Sequence, residues 1–166
     1  MSLGVHMALS DEDEQLILDP ELEPEDLVDL ITEDLEERYL DDDNWSSQSD
    51  KAWDAIHRCL TDGRLLYESG PFPLAFAVLG GEVLDAGEDY TACLATREEV
   101  KEVSAALKGV TRAWMRERYD TLGDTDYSGP LGDADFEYTW ENLVGLRAFF
   151  ERAAAADRSV LFTTDA

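Results

Sequence analysis

The 166 residues carry 39 acidic and 13 basic side chains, a formal net charge of −26, and 44% of them are hydrophobic. That length fits one domain able to bury roughly 70% of its unfolded surface, and the apolar content rules out wholesale disorder. A field this negative repels nucleic-acid phosphates, whose binding needs lysine or arginine to release counterions, so direct nucleic-acid binding is excluded; anionic membranes are disfavoured likewise.

No apolar run approaches the roughly 20 residues that span a bilayer, and no basic segment leads into an apolar one as in a signal peptide. These features predict a cytoplasmic protein. Met1-Ser2-Leu3 reads as a cloning leader ahead of a single domain over 4–166, with acidic helices over 10–40 and a core over 49–163. The charge is uneven: residues 1–50 hold 18 acids and one base, Arg38, whereas residues 51–166 hold 21 acids and 12 bases. An acidic surface first of all keeps a chain soluble. Read more sharply, it is a docking surface for a basic protein, or a mimic of a phosphate backbone.

In chain order, Ser10 followed by Asp11-Glu12-Asp13-Glu14 starts a short helix, because a hydroxyl cap and first-turn acids both suit the positive helix end. Pro24 opens a second helix, on which Leu27, Leu30, Ile31, Leu35 and Tyr39 recur at spacings of three and four; acids fill the other face. Asp41 to Gln48 reads as a polar linker. The next helix, capped by Ser49 or Asp50 and stopped by Gly63, carries Trp53, Ile56, His57 and Leu60 on one face. Leu74 to Leu79 is a short continuous apolar run bounded by Gly80-Gly81, which predicts a strand buried on both faces; Glu82-Val83-Leu84 extends or pairs with it. Thr91 to Ala95 is a further strand, and Thr96-Arg97-Glu98-Glu99 is a capping box that opens a helix ending at Gly109. Thr111 caps another helix. Gly123 to Asp135 is a Gly/Asp-rich loop, followed by a long helix with Trp140, Leu143, Leu146, Phe149 and Phe150 and a last strand, Val160-Leu161-Phe162. This order predicts an α/β fold: one compact domain with a mixed β-sheet flanked by helices.

The residues able to carry chemistry are few. His57 lies at the edge of an apolar stripe with Asp54 three residues before it, a pairing that could serve as a general base with its orienting carboxylate. The plainer reading, and the favoured one, is a core-edge histidine bonded to backbone. Cys59 and Cys93 sit in apolar segments and read as reduced core thiols, with no nucleophile motif around them and no set of zinc ligands. Gly80-Gly81 lacks the spacing of a nucleotide-binding loop and reads as a tight turn. Asp124 to Asp135 places oxygen ligands at loop positions one, three, five and twelve with glycine at six, an approximation to a calcium loop, although a solvated acidic loop is the better reading. Of the four tryptophans, Trp45, in the polar linker, is the one placed to line a groove.

Lys51-Ala52-Trp53, Ile56-His57, Leu60-Thr61 and Gly63 together resemble the signature helix of the YfbM-like family of bacterial proteins of unknown function. Leu79-Gly80-Gly81, the Thr96 to Val100 helix start and the closing Trp140 to Phe162 helix and strand are similar to that family in the same order, over residues 49–163 and, more weakly, the opening helices. The resemblance implies a layered α/β domain and supplies no catalytic set and no cofactor; Trp53, His57, Gly80 and Gly81 match its recurring positions. The expectation is therefore a binding or interaction module with a strongly acidic surface and, as its partner, a basic protein. The alternatives are a small hydrolase or small-molecule-binding enzyme with a pocket near His57, lined by Trp53, Asp54 and Tyr90, and calcium binding at Asp124–Asp135.

Overall fold

The structure, a computed structural model, describes residues 2–67 and 69–165. Five strands form one sheet in the order β2-β1-β5-β4-β3: β1 (Gly4–Leu9), β2 (Ser46–Asp50), β3 (Glu82–Val83), β4 (Tyr90–Ala95) and β5 (Ser159–Asp165). The layered α/β domain expected from the sequence is present, but every pairing in its sheet is antiparallel, so the strands are not mixed in direction. Period-two alternation assigns the side chains of the inner strands to two cores. Val5, Met7 and Leu9 of β1, Ala92 and Leu94 of β4, and Leu161 of β5 face one side. Ala8, Cys93, Ala95, Val160 and Phe162 face the other.

The first side is covered by the acidic helices. Ser10 caps α1 (Asp11–Ile17), its hydroxyl accepting from the Asp13 amide at 3.3 Å, and Pro24 sits in the first turn of α2 (Pro24–Asp29). α2 continues without a break through a π-helical stretch (Leu30–Leu35) into α3 (Glu36–Tyr39). The π segment follows from the sequence. Leu27, Ile31, Leu35 and Tyr39 are the buried side chains, spaced four apart. On a 3.6-residue helix a strict spacing of four drifts by about 40° per step, and widening the helix keeps the four on one line against the sheet.

The second side is covered by α4 (Trp53–Leu60), α5 (Arg97–Lys108), α6 (Arg112–Tyr119) and α7 (Gly132–Ala155). The Thr96 capping box is formed in both directions, at 3.2 and 2.9 Å, and Thr111 caps α6. On α7, Phe136, Leu143, Leu146, Phe149, Phe150 and Ala153 are buried at helical spacing.

Two expected elements change, and one strand is present that the sequence pattern does not predict. Residues 41–48 are not merely a linker: Ser46–Asp50 is the edge strand β2, its small Ser46 and Ser49 buried, so Ser49 and Asp50 belong to a strand and the helix starts at Trp53. Gly4–Leu9, which directly follows the expected leader, is the strand between β2 and β5, and Ser2 is tied to the body through its carbonyl, which accepts from Trp53 Nε1 at 2.9 Å. Leu74 to Leu79 is not a strand. A 3-10 turn (Leu74–Phe76) begins after Pro71 and Pro73, residues that cannot donate to a ladder, and the chain beyond it stays buried without pairing.

Gly80 and Gly81 turn that segment onto β4. A Cβ at Gly80 would collide with Phe76, and one at Gly81, whose φ is +85°, would collide with the backbone of Leu94. Gly81→Ala is therefore expected to cost more than about 2 kcal/mol, from left-handed strain together with a collision against backbone. Urea unfolding measures it; a loss below about 0.5 kcal/mol would show that the turn relaxes freely.

Candidate functional site

The structure does not assemble the residues singled out around His57. The His57 side chain is fully buried, and Nε2 lies 2.8 Å from the Leu66 carbonyl oxygen and 3.3 Å from Ser69 Oγ. A carbonyl only accepts, so Nε2 carries the proton and Nδ1 is a buried lone pair with no partner among the described residues. Burial disfavours the charged ring and moves its pKa below the ordinary value. Asp54 does not orient this ring: its carboxylate accepts from Arg58 Nε at 2.6 Å, and Arg58 also reaches Asp126 at 2.6 Å and the Gly63 carbonyl at 3.1 Å. Trp53 packs 5.7 Å from the Phe162 ring. Tyr90 lies against the opposite core, across the sheet from α4. His57 thus ties the loop after α4 to its helix, while Asp54 is turned to Arg58 and Tyr90 lies on the other face of the sheet.

A second histidine, His6 on β1, repeats this arrangement, and sequence reasoning passed over it. It is fully buried among Phe149, Phe150 and Phe162, its Nε2 donates to the Ala77 carbonyl at 2.7 Å, and Nδ1 has no partner among the described residues. Burial lowers its pKa to about 4. Cys59 and Cys93 are buried free thiols, each pushed up to about 12 by desolvation, which leaves them protonated and unreactive at neutral pH.

Of the four carboxylates in the loop considered for calcium, all but that of Asp124 are engaged elsewhere. Asp126 binds Arg58, Asp133 binds Arg116, and Asp135 accepts from the hydroxyls of Tyr119 and Tyr127. Among the described residues no group of three or more histidine, cysteine or acidic side chains is placed to hold a metal ion.

What the fold does create is a groove at one end of the sheet, on the face covered by α2 and α3. One cavity of about 480 Å³ is lined by Val5 of β1, Gln48 and Asp50 of β2, Asp165 of β5, and Glu36 and Leu40 of α3 and its end. A second, of about 310 Å³, shares Leu3, Glu36 and Asp165 with the first and adds Val28, Thr32, Tyr90, Thr163 and Thr164. The groove has apolar walls and three convergent carboxylates, and among the described residues no lysine or arginine lines it. Tyr90 donates its hydroxyl to Glu36 Oε1 at 3.2 Å across the groove. Burial raises the Glu36 pKa and the like charge of Asp165 adds to it. Apolar walls with a few convergent polar groups and a perturbed carboxyl are the usual marks of a binding site.

Comparison with known proteins agrees with this architecture. A family model described as a domain of unknown function, DUF1877, matches residues 1–163, so the chain belongs to that family. The crystal structure of YfbM from Escherichia coli, itself titled a protein of unknown function, is similar to this one with a TM-score of 0.73 and 19% identity over 99% of both chains, which shows a shared fold. No curated protein matches.

The two neutral histidines make stability depend on pH. A folded-state pKa below the unfolded value of about 6.5 means that their contribution is complete above that pH and is lost as pH falls toward the folded value. For His6, between pH 7 and pH 5, wild type should lose about 2 kcal/mol more than His6→Gln in urea unfolding. Parallel pH curves for the two proteins would contradict the assignment.

Proposed function

For this member of the YfbM-like DUF1877 family we propose that the protein is a binding module, cytoplasmic as its two buried free thiols suggest, that takes a basic protein on its acidic helical layer. The observation that carries this reading is a stripe of Glu25, Asp29, Glu33 and Glu37. All four are exposed, and they repeat every four residues along α2, the π segment and α3. Their spacing equals that of the buried residues Leu27, Ile31, Leu35 and Tyr39, so the widened helix that holds the apolar row on the sheet also holds the acids in a line, about 6 Å apart. Like charges at this spacing oppose helix formation by about 0.2–0.5 kcal/mol per pair. Among the described residues no cation relieves them. Arg38, the only base among residues 1–50, pairs with Asp13 and Asp34, and Arg97 reaches Asp11 and Glu14. Of the 18 acids in residues 1–50, the other 14 meet no cation among the described residues.

A partner with basic side chains about 6–7 Å apart fits such a row: alternate residues of an extended strand or every fourth residue of a helix. An enzyme reading finds less support, because the histidines and thiols are buried and committed.

The test uses decalysine as probe and a variant with Glu25→Gln, Asp29→Asn, Glu33→Gln and Glu37→Gln. Affinity measured by calorimetry should fall at least tenfold between about 50 and 300 mM NaCl, and the variant should lose about tenfold at low salt. Equal binding by variant and wild type would move the interaction off this stripe and overturn the reading.

A further inference from the structure

The groove beside that stripe has features that general acidity does not explain. Glu36 projects into it from α3 and Asp165 from the end of β5, and Leu40 and Val5 give it an apolar wall. The Glu36 carboxylate holds the Tyr90 hydroxyl at 3.2 Å. Next to that phenol lies Thr163, whose side chain is 1% exposed and lines the inner wall. Its Oγ1 sits beside the Tyr90 hydroxyl without completing a hydrogen bond of ordinary geometry. A buried hydroxyl left without a partner is uncommon, because each such group costs the hydrogen bonds it made to water.

We infer that the groove receives one guanidinium side chain, an arginine of the basic partner, between Glu36 and Asp165, with its methylene stem against Leu40 and Val5. A planar guanidinium offers five donors, enough to engage two carboxylates from different directions, and it is weakly hydrated compared with an ammonium. Its arrival supplies a counter-charge that none of the described lining residues carries. When Glu36 turns to the guanidinium it releases the Tyr90 hydroxyl, and the unpartnered Thr163 Oγ1 is the neighbour positioned to accept it. The bound state then leaves neither Glu36, Tyr90 nor Thr163 unsatisfied. Such an arginine becomes the anchor of the interface, and the stripe supplies attraction and register around it.

This inference rests on the basic-partner reading, and the experiment separates the two. The probes are the peptide acetyl-Gly-Arg-Gly-amide and its citrulline counterpart, which has nearly the same shape without the charge. They are titrated into the full chain, with amide shifts followed by NMR. The arginine peptide is expected to shift Gly4, Tyr90 and Thr163, and the citrulline peptide is expected to bind at least tenfold more weakly. Glu36→Gln with Asp165→Asn should lower the arginine-peptide affinity at least tenfold, and Thr163→Val should lower it while leaving decalysine binding unchanged. Shifts confined to Glu25, Asp29, Glu33 and Glu37, equal binding of the two peptides, or an unchanged affinity in the double variant would each overturn the groove assignment. In those cases decalysine binding would still stand for the wider reading, whereas failure of decalysine itself would remove that reading independently.

Discussion

The shortage of cations governs this molecule. With 13 bases against 39 acids, each arginine that is fixed in one place leaves acids elsewhere without a counter-charge. Several arginines are fixed on backbone carbonyls. Arg118 donates to the Cys59 and Thr61 carbonyls at the end of α4, which the helix itself cannot satisfy. Arg147 holds the Val110 carbonyl, Arg152 those of Asp43 and Asn44, and Arg158 that of Ala8 while its guanidinium covers the Trp45 ring at 3.8 Å. Arg58, almost fully buried, joins Asp54, Asp126 and Gly63 into one cluster. Positive charge is thus invested in closing helix ends and loops on the α4–α7 side of the sheet. On the α1–α3 side, among the described residues, arginine reaches Asp11, Asp13, Glu14 and Asp34 and leaves the other acids bare.

That division follows the two faces of the sheet. On the α4–α7 side, His6 and His57 bind loop carbonyls with their protonated nitrogens and leave the other nitrogen buried, so each is held neutral by its surroundings. This side is inward-looking: its rings and thiols are packed within the fold, and its arginines are bonded there. On the α1–α3 side a thinner core of leucines, Ile31 and Tyr39 holds a helix whose outer row meets no cation among the described residues. Most of the fixed arginines lie with one layer and most of the unpaired acids of residues 1–50 with the other.

How much of this could be read in the sequence depends on how local each signal is. Helix starts at Ser10, Thr96 and Thr111 were legible because a cap is written within four residues. So was the buried row Leu27 to Tyr39, although its strict spacing of four, the cue to the π segment, was not used. β2 was illegible: Ser46 to Asp50 has no apolar residue, and it is a strand only because β1 lies beside it. β1 itself was hidden by its position next to an apparent leader and by a histidine in its middle. Leu74 to Leu79 has a strand's composition, but two prolines and the Gly80-Gly81 turn give it a different path. The role of His57 could not be fixed from its helix, since its partners Leu66 and Ser69 come from a later loop. The groove was invisible for the same reason, because Tyr90, Thr163 and Asp165 meet through the sheet register, in which Tyr90 pairs with Asp165, and Glu36 reaches them from the helix packed on that face.

The central claim is that the α1–α3 layer carries unrelieved like-charge repulsion that the fold tolerates and a partner would relieve. The most direct measurement is the melting temperature of the free protein across sodium chloride concentrations from about 10 to 300 mM, below the range in which salt acts mainly through apolar hydration. Screening of unpaired acids predicts a melting temperature that rises steadily by several degrees over that range, and a smaller rise in the variant lacking the Glu25, Asp29, Glu33 and Glu37 charges. A melting temperature that stays flat or falls with salt would show that ion pairs outweigh repulsion, and would contradict the account.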